Sequence, residues 1–534
     1  MTAGLDPGAR PARRRRGIAA AAAAAAALAW AGIAAAIGKR LSGLAFDDFY
    51  ITYRYAWNLA AGQGLVFNPG ERVFGLTDPG AGLLLGALHA LTRVPIPVLG
   101  TALTGAALVW IAVLLLLAAR DRGRTAEGLI AGTLLTASTV LWVSQGAGIF
   151  LALALLLQAA RLAGPRPILA GALAGAAVWM RPDAALGILL LALLLLFERR
   201  RIPWRFGLAA GVTAGLGVAA AWIYFGTPVP NTLAAKAAMA AAQASWSGLR
   251  FWQGAVPILP RHWGPEWEWI VAAGAAGLVP LWRRGGRTGR LLALFGAGAA
   301  VAYPLLRVPF FFWYTVPTLV AVLAGVPFLA GAAGRLAASA LKRAPAPARA
   351  AAGVAVAAAM LVPLLASLAP AGSSWLRTYR WPKNLRAYQQ AGLWIRANSG
   401  PQDDIAYFEI GVPAYYSERK VVDLLGLVTP EAVPYVVRGD LAGAFLLHPT
   451  RFVLSFQEGM PLLRKRWFQT AYEEVHRIEV EGSELRILRR VPGSRLPPPH
   501  APGARVRHRQ KLDRVGPSGP ALPDRIPKKL PDRT

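Results

Sequence analysis

Cysteine is absent from the 534 residues, so neither a disulfide nor a thiolate metal site is open to this chain. Histidine is scarce, at six, and no two have zinc-site spacing, which argues against a zinc enzyme. Acids are few as well: 27 Asp and Glu face 58 Lys and Arg, a formal net charge of +31. Only 16% of residues are charged, where a soluble protein carries about a quarter. What is abundant is apolar: 55% of the chain is hydrophobic, in repeated segments near the length that crosses a bilayer. This excludes an ordinary soluble domain and predicts a polytopic membrane protein. The basic excess does not point to nucleic acid, because the arginines cluster between apolar segments, where they set topology.

Those clusters orient the chain. Arg10, Arg13, Arg14, Arg15 and Arg16 precede an apolar run of roughly 21 residues, enough to span once. Lys39 and Arg40 follow, and five against two places the N-terminus inside. A cleaved signal peptide is the rival, but its apolar core would be shorter. Basic clusters at Arg120–Arg124, Arg161–Arg166, Glu198–Arg205, Arg283–Arg290 and Arg335–Arg349 alternate with outer turns on the same scheme. The outer segments are then 44–79, a turn near Gly146, 181–183, 226–265 and 307–314. Residues 80–119 hold either two spans or one span preceded by a re-entrant or interfacial helix. With an odd net crossing there, the count comes to about 11 spans.

The composition changes after residue 373. The stretch "NLRAYQQAGLWIRANSG" reads as an amphipathic helix stopped by Gly400, and "DIAYF", "KVVDLL", "RFVLSF" and "SELRILRR" read as short strands. The expected organisation is a basic cytoplasmic N-terminus (1–16), a mainly α transmembrane bundle (17–373) with its first outer loop at 39–79, a small extracytoplasmic α/β domain (374–490), and a tail (491–534). The tail has ten prolines and ten Lys or Arg and reads as disordered.

Unusual polar residues gather on the outer side. Asp47 and Asp48 open the first outer loop, and a helix starting there puts Tyr50, Arg54 and Asn58 on one face. Either acid could cap that helix. One would suffice, so the second suggests a functional role beside the membrane. Arg181, Pro182 and Asp183 read as a tight outer turn with a local ion pair, or as a cation facing a ligand. Asn231 and Lys236 start a helix after a proline-rich turn, where Lys236 either anchors at the interface or grips a phosphate. Arg307 precedes the aromatic run Phe310–Tyr314, with the same two readings. An acid pair and three cations at the outer edge of an apolar bundle suit a lipid-linked anionic substrate. The cations would neutralise a leaving phosphate while a carboxylate accepts a proton from an attacking hydroxyl.

The stretch "DDFYITYRYAWNLAAGQGLVFNPGERVFGLTDP" closely resembles the first outer loop of polytopic GT-C-fold glycosyltransferases, in particular the cell-wall arabinofuranosyltransferases and their relatives. "WMRPD" (179–183), "YFGTPVPNTLAAK" (224–236) and "DIAYFEIGVPAYYSERKVVDLLGLVTPE" (404–431) resemble further pieces of that family, in the family's order. The matches cover about a quarter of the chain. The resemblance implies an inverting transfer of a sugar from a polyprenyl-phosphate donor to a glycan, lipid or protein acceptor on the outer face of the cell membrane. It implies a first-loop general base, Asp47 or Asp48, with the leading acid favoured. By the same resemblance Lys236, Arg181 and Arg307 would hold the donor phosphate, and Tyr50, Arg54, Asn68, Asn231 and Asp183 would shape the pocket. Glu409 and Asp423 would sit near the acceptor. Related loops commonly carry a Glu and an Asn where this chain has Phe74 and Asp78. No carboxylate cluster in the sequence requires a metal, and donors with a lipid monophosphate often need none. No cofactor is therefore assigned, and a divalent cation stays open. Two other functions compete. A flippase or exporter of lipid-linked sugars would need polar residues inside the spans, which are mostly Ala, Leu, Gly and Val. A non-catalytic envelope protein that binds glycan through its outer domain would not need the elaborate loop 44–79.

Overall fold

Ala and Leu have high helix propensity, and a chain in hydrocarbon must satisfy its backbone internally, so the apolar segments form long helices. A computed structural model describes residues 9–146, 148–242, 247–456 and 460–500. Among these, six helices are long and apolar enough to cross a membrane: Ala20–Leu41, Ile96–Arg120, Trp204–Phe225, Gly286–Leu305, Phe312–Ala340 and one beginning at Ala346. Shorter apolar helices, Pro79–Thr92, Ile149–Leu162 and Pro167–Met180, lie among them. Each shorter one has 14 residues, roughly 21 Å at about 1.5 Å per residue, against a hydrocarbon core of about 30 Å. The expected count of about 11 spans therefore leans on helices too short to cross alone. Residues 80–119 take the second form expected for them, a short helix followed by one full-length helix, Ile96–Arg120.

Small residues bring the helices close. A Cβ on Gly277 of helix Trp267–Arg284 would strike the backbone of Gly325 on helix Val316–Ala340, so these two pack backbone to backbone.

Beyond the bundle, helix Lys383–Asn398 packs on a five-stranded sheet. Its strands are β1 (Asp404–Tyr407), β2 (Lys420–Asp423), β3 (Phe452–Phe456), β4 (Tyr472–Val480) and β5 (Ser483–Arg490), in spatial order β2-β1-β3-β5-β4. β1 pairs parallel with β2 and β3, and β3–β5–β4 is antiparallel. Four of these strands coincide with the runs read from sequence. The fifth, β4, has charged and exposed positions through its length, as an edge strand tolerates. Of the expected tail, residues 491–500 are irregular, and His500 Nε2 lies 2.6 Å from Asp440 Oδ2. Residues 501–534 and 1–8 lie outside the described residues.

The loop 44–79 is the base on which this second unit rests. Helix Asp47–Ala60 opens it, and turns at Gly62, Gly64 and Gly70 use positive φ. Asn58 Nδ2 donates to the carbonyls of Val66 and Phe67, Arg54 Nε to Phe67, and the Tyr55 hydroxyl to Val73, which folds the loop back onto its own helix. Asn68 then behaves like one more residue of β2: its Nδ2 donates to the Val421 carbonyl and its Oδ1 accepts from the Val421 N–H, each at 3.0 Å.

Candidate active site

Asp47 and Asp48 form the first turn of helix Asp47–Ala60, where free N–H groups and the helix dipole favour carboxylates. Adjacent residues on a helix point about 100° apart, and the two acids meet different surroundings. Asp47 is buried. Its Oδ2 accepts from the Gly411 N–H at 2.9 Å and its Oδ1 from the Val412 N–H at 2.7 Å, at the start of the short helix Gly411–Ser417. Burial pushes its pKa up to about 7, against the two backbone bonds that lower it. Asp48 is half-buried and lines two small cavities that meet at its carboxylate. Burial raises its pKa too, and Lys236 opposes that rise. Among the described residues no hydrogen bond engages the Asp48 side chain.

Lys236 lines both cavities with Asp48. Its Nζ lies 4.8 Å from the ring centre of Phe311, 5.7 Å from Trp313 and 5.8 Å from Tyr314, an aromatic box that holds the ammonium without neutralising it. Arg181 lines the first cavity and is 5% exposed. Its Nε donates to both oxygens of Asp183 at 3.1 and 3.2 Å and its Nη2 to Oδ2 at 3.0 Å, while the Tyr303 hydroxyl donates to the same Oδ2 at 2.7 Å. The expected local ion pair is present, and the same arginine lines the cavity.

The first cavity continues with Thr52, Thr77, Asp78 and Thr232, and the second with Phe408, Glu409 and Met239. Beside the first, and sharing Thr77 with it, lies an apolar groove of about 410 Å³ walled by Pro79, Trp179, Phe225 and residues of helix Trp204–Phe225. Phe74, where related loops carry an acid, faces this groove and stacks on Phe225 with ring centres 4.7 Å apart.

The other residues expected at the site divide. Glu409 is brought in from the second unit, and one oxygen each of Asp47, Asp48 and Glu409 lie within 4.8 Å of one another. A carboxylate cluster not visible along the sequence is therefore assembled by the fold. Three such oxygens suit a hard divalent cation, although Asp47 already accepts two backbone bonds and Lys236 competes for Asp48. Tyr50 is fully buried in an aromatic cluster and donates to the Gly43 carbonyl. Arg54 and Asn68 bind backbone as described above. Asn231 donates through Nδ2 to the carbonyls of Gly426 and Leu427 at 2.5 and 3.0 Å. Asp423, its pKa pushed up to about 6 by burial, accepts from the N–H groups of Leu425, Leu427 and Val428. These five hold the walls in place and line neither cavity. Arg307 is exposed, at φ 52°, on the turn after helix Gly286–Leu305, and lines neither cavity. Thr52, Thr77 and Thr232 went unnoticed in the sequence. Only the position of Thr232 beside Asn231 hinted at it.

A similar arrangement of helices exists in solved proteins. ArnT from Cupriavidus metallidurans in the apo state superposes with a TM-score of 0.52 at 14% identity, covering 87% of this chain and 98% of that one. The chain has the GT-C fold. The archaeal oligosaccharyltransferase AglB from Archaeoglobus fulgidus, in complex with an inhibitory peptide and a dolichol-phosphate, superposes at 0.50 with 12% identity over 80% of this chain and 69% of that one. A family profile described as a domain of unknown function, DUF8728, matches residues 378–491. No curated protein matches by sequence. The profile match lies on the sheet unit alone, the structural match is longer than the bundle alone, and the two small cavities lie where bundle and sheet unit meet.

Proposed function

We propose that this chain is an integral-membrane inverting glycosyltransferase that moves a sugar from a polyprenyl-phosphate donor to a hydroxyl acceptor on the outer face of the cell membrane. One observation carries the reading. A carboxylate without hydrogen-bond partners among the described residues, Asp48, stands with an aromatic-boxed ammonium, Lys236, where a polar cavity adjoins a large apolar groove. The groove suits an isoprenoid tail and the cations its phosphate. AglB, one of the fold's relatives, has been captured with dolichol-phosphate.

In the reaction Asp48 takes the proton of the acceptor hydroxyl while that oxygen attacks the anomeric carbon. The bond from this carbon to the phosphate oxygen breaks on the opposite side. The polyprenyl phosphate leaves with its charge facing Lys236 and Arg181. We assign the base to Asp48 rather than to the leading acid, because both oxygens of Asp47 already accept backbone N–H groups. Asp47 instead clamps the sheet unit over the site and is a positioning residue. On this reading residues 17–373 form the membrane bundle and 374–490 an extracytoplasmic unit, joined to the outer loop by the Asp47 and Asn68 bonds.

The test is sugar transfer from a polyprenyl-phosphate donor by purified protein in nanodiscs. Asp48→Asn should lower kcat by roughly 10²–10⁴-fold, the usual worth of general base catalysis, with donor affinity retained. Full turnover by a folded Asp48→Asn protein would overturn the assignment.

A further inference from the structure

Once a base and two cations have been assigned, the wall of the first cavity still holds a buried acid and three hydroxyls with no role. Asp78 is 5% exposed and Thr232 is 3% exposed. The Thr52 hydroxyl donates to Asp78 Oδ1 at 2.5 Å, and the Thr77 hydroxyl to Thr232 Oγ1 at 3.4 Å. Asp78 is not needed to balance Arg181, whose guanidinium is already forked onto Asp183. Nor does it cap the helix that follows, Pro79–Thr92, since its side chain makes no capping bond there.

We propose that Asp78, Thr52, Thr77 and Thr232 form the subsite that reads the hydroxyls of the transferred sugar. The proposal rests on the glycosyltransferase reading and names its specificity determinants. A carboxylate offers about four acceptor positions; Thr52 uses one, and the backbone N–H groups of Gly148 and of Asp78 itself engage the carboxylate too, which leaves it capacity for one further donor from the cavity. Each threonine that donates its proton keeps lone pairs for a partner. Such a wall is mainly acceptor in character, and a sugar ring presents hydroxyl donors to it. Left unpaired in a buried wall, these groups cost far more than a missing apolar contact does. The site therefore rejects a donor that lacks the matching hydroxyl. The cations hold any polyprenyl phosphate, and the Asp78 wall separates one glycosyl group from another.

The bare lipid provides the control. Binding of polyprenyl phosphate, a polyprenyl-phosphate pentofuranose and a polyprenyl-phosphate hexopyranose is measured on full-length protein in nanodiscs. The wild type should prefer one glycosylated lipid to the other by at least about tenfold, and Asp78→Asn and Thr232→Val should each reduce that preference severalfold while bare-lipid affinity stays within about twofold. Thr232→Val keeps the side-chain shape, so it decides the matter alone if Asp78→Asn fails to fold. An unchanged preference, or a parallel loss for all three lipids, overturns the subsite and leaves the glycosyltransferase reading standing. A wild type that binds none of the three overturns both.

Discussion

Asp47 and Asp48 share a peptide bond and almost nothing else. One accepts two backbone N–H groups at 2.7 and 2.9 Å, and the other faces a lysine across open space. Their substitution should therefore split by kind. Asp47→Asn replaces an acceptor with a donor opposite an N–H, which weakens the joint to helix Gly411–Ser417. It should lower the melting temperature and kcat together, whereas Asp48→Asn should lower kcat with little change in melting. Parallel calorimetry and kinetics on the two proteins would check this. The pH profile adds a sign. Burial raises the Asp48 pKa above 3.8, so kcat/KM should fall as pH drops through that raised value and the base becomes protonated. Lys236 lowers that pKa, and removing its charge must raise it. Lys236→Gln should shift the acid limb to higher pH, whatever it does to the plateau. A limb that stayed in place would mean that Lys236 does not act on the titrating base.

Between elements, the decisive joints are made of few atoms. At Gly411 any Cβ would strike the backbone carbonyl of Asp47, because the start of helix Gly411–Ser417 lies directly on the first turn of helix Asp47–Ala60. Gly411→Ala should push the two apart and reduce transfer at least as much as Asp47→Asn does, with the transmembrane helicity unchanged by circular dichroism. Asn68 completes the edge of β2, and Val421 is fully buried. Asn68→Ala leaves a buried N–H and C=O unpaired and should cost about 1–3 kcal/mol, read as earlier thermal unfolding of the purified protein. An unaltered unfolding curve would show that the sheet unit is held in place without this contact.

For the molecule as a whole, the loop 44–79 and the sheet unit enclose the acids only if both lie on one side of the membrane. The absence of cysteine makes this directly measurable. Arg72→Cys, in the first loop, should react with an impermeant maleimide on intact cells, and Arg201→Cys, in the basic cluster between helices Ala184–Arg199 and Trp204–Phe225, only after permeabilisation. The reverse pattern would separate donor from acceptor and end the proposed reaction.

Apolar runs, basic clusters and the period-two pattern of four strands were legible in the sequence because each depends on residues within one or two turns of one another. Helix Asp47–Ala60 and the acid pair that opens it were legible for the same reason. β4 was not, since an exposed edge strand carries no apolar alternation to read. Nor could neighbouring residues say that Arg307 would be exposed away from both cavities, or that Tyr50, Arg54, Asn68, Asn231 and Asp423 would bind backbone and line neither cavity. The different surroundings of Asp47 and Asp48, the arrival of Glu409 beside them, and the meeting of polar cavity and apolar groove at Thr77 were decided by tertiary structure alone. Hydrophobicity and charge are properties of single residues and their near neighbours, so the chain itself determined a bundle of apolar helices with an acid pair opening the helix after the first of them. Which lone pair stays open depends on groups hundreds of residues away, and only packing brings those groups within bonding distance.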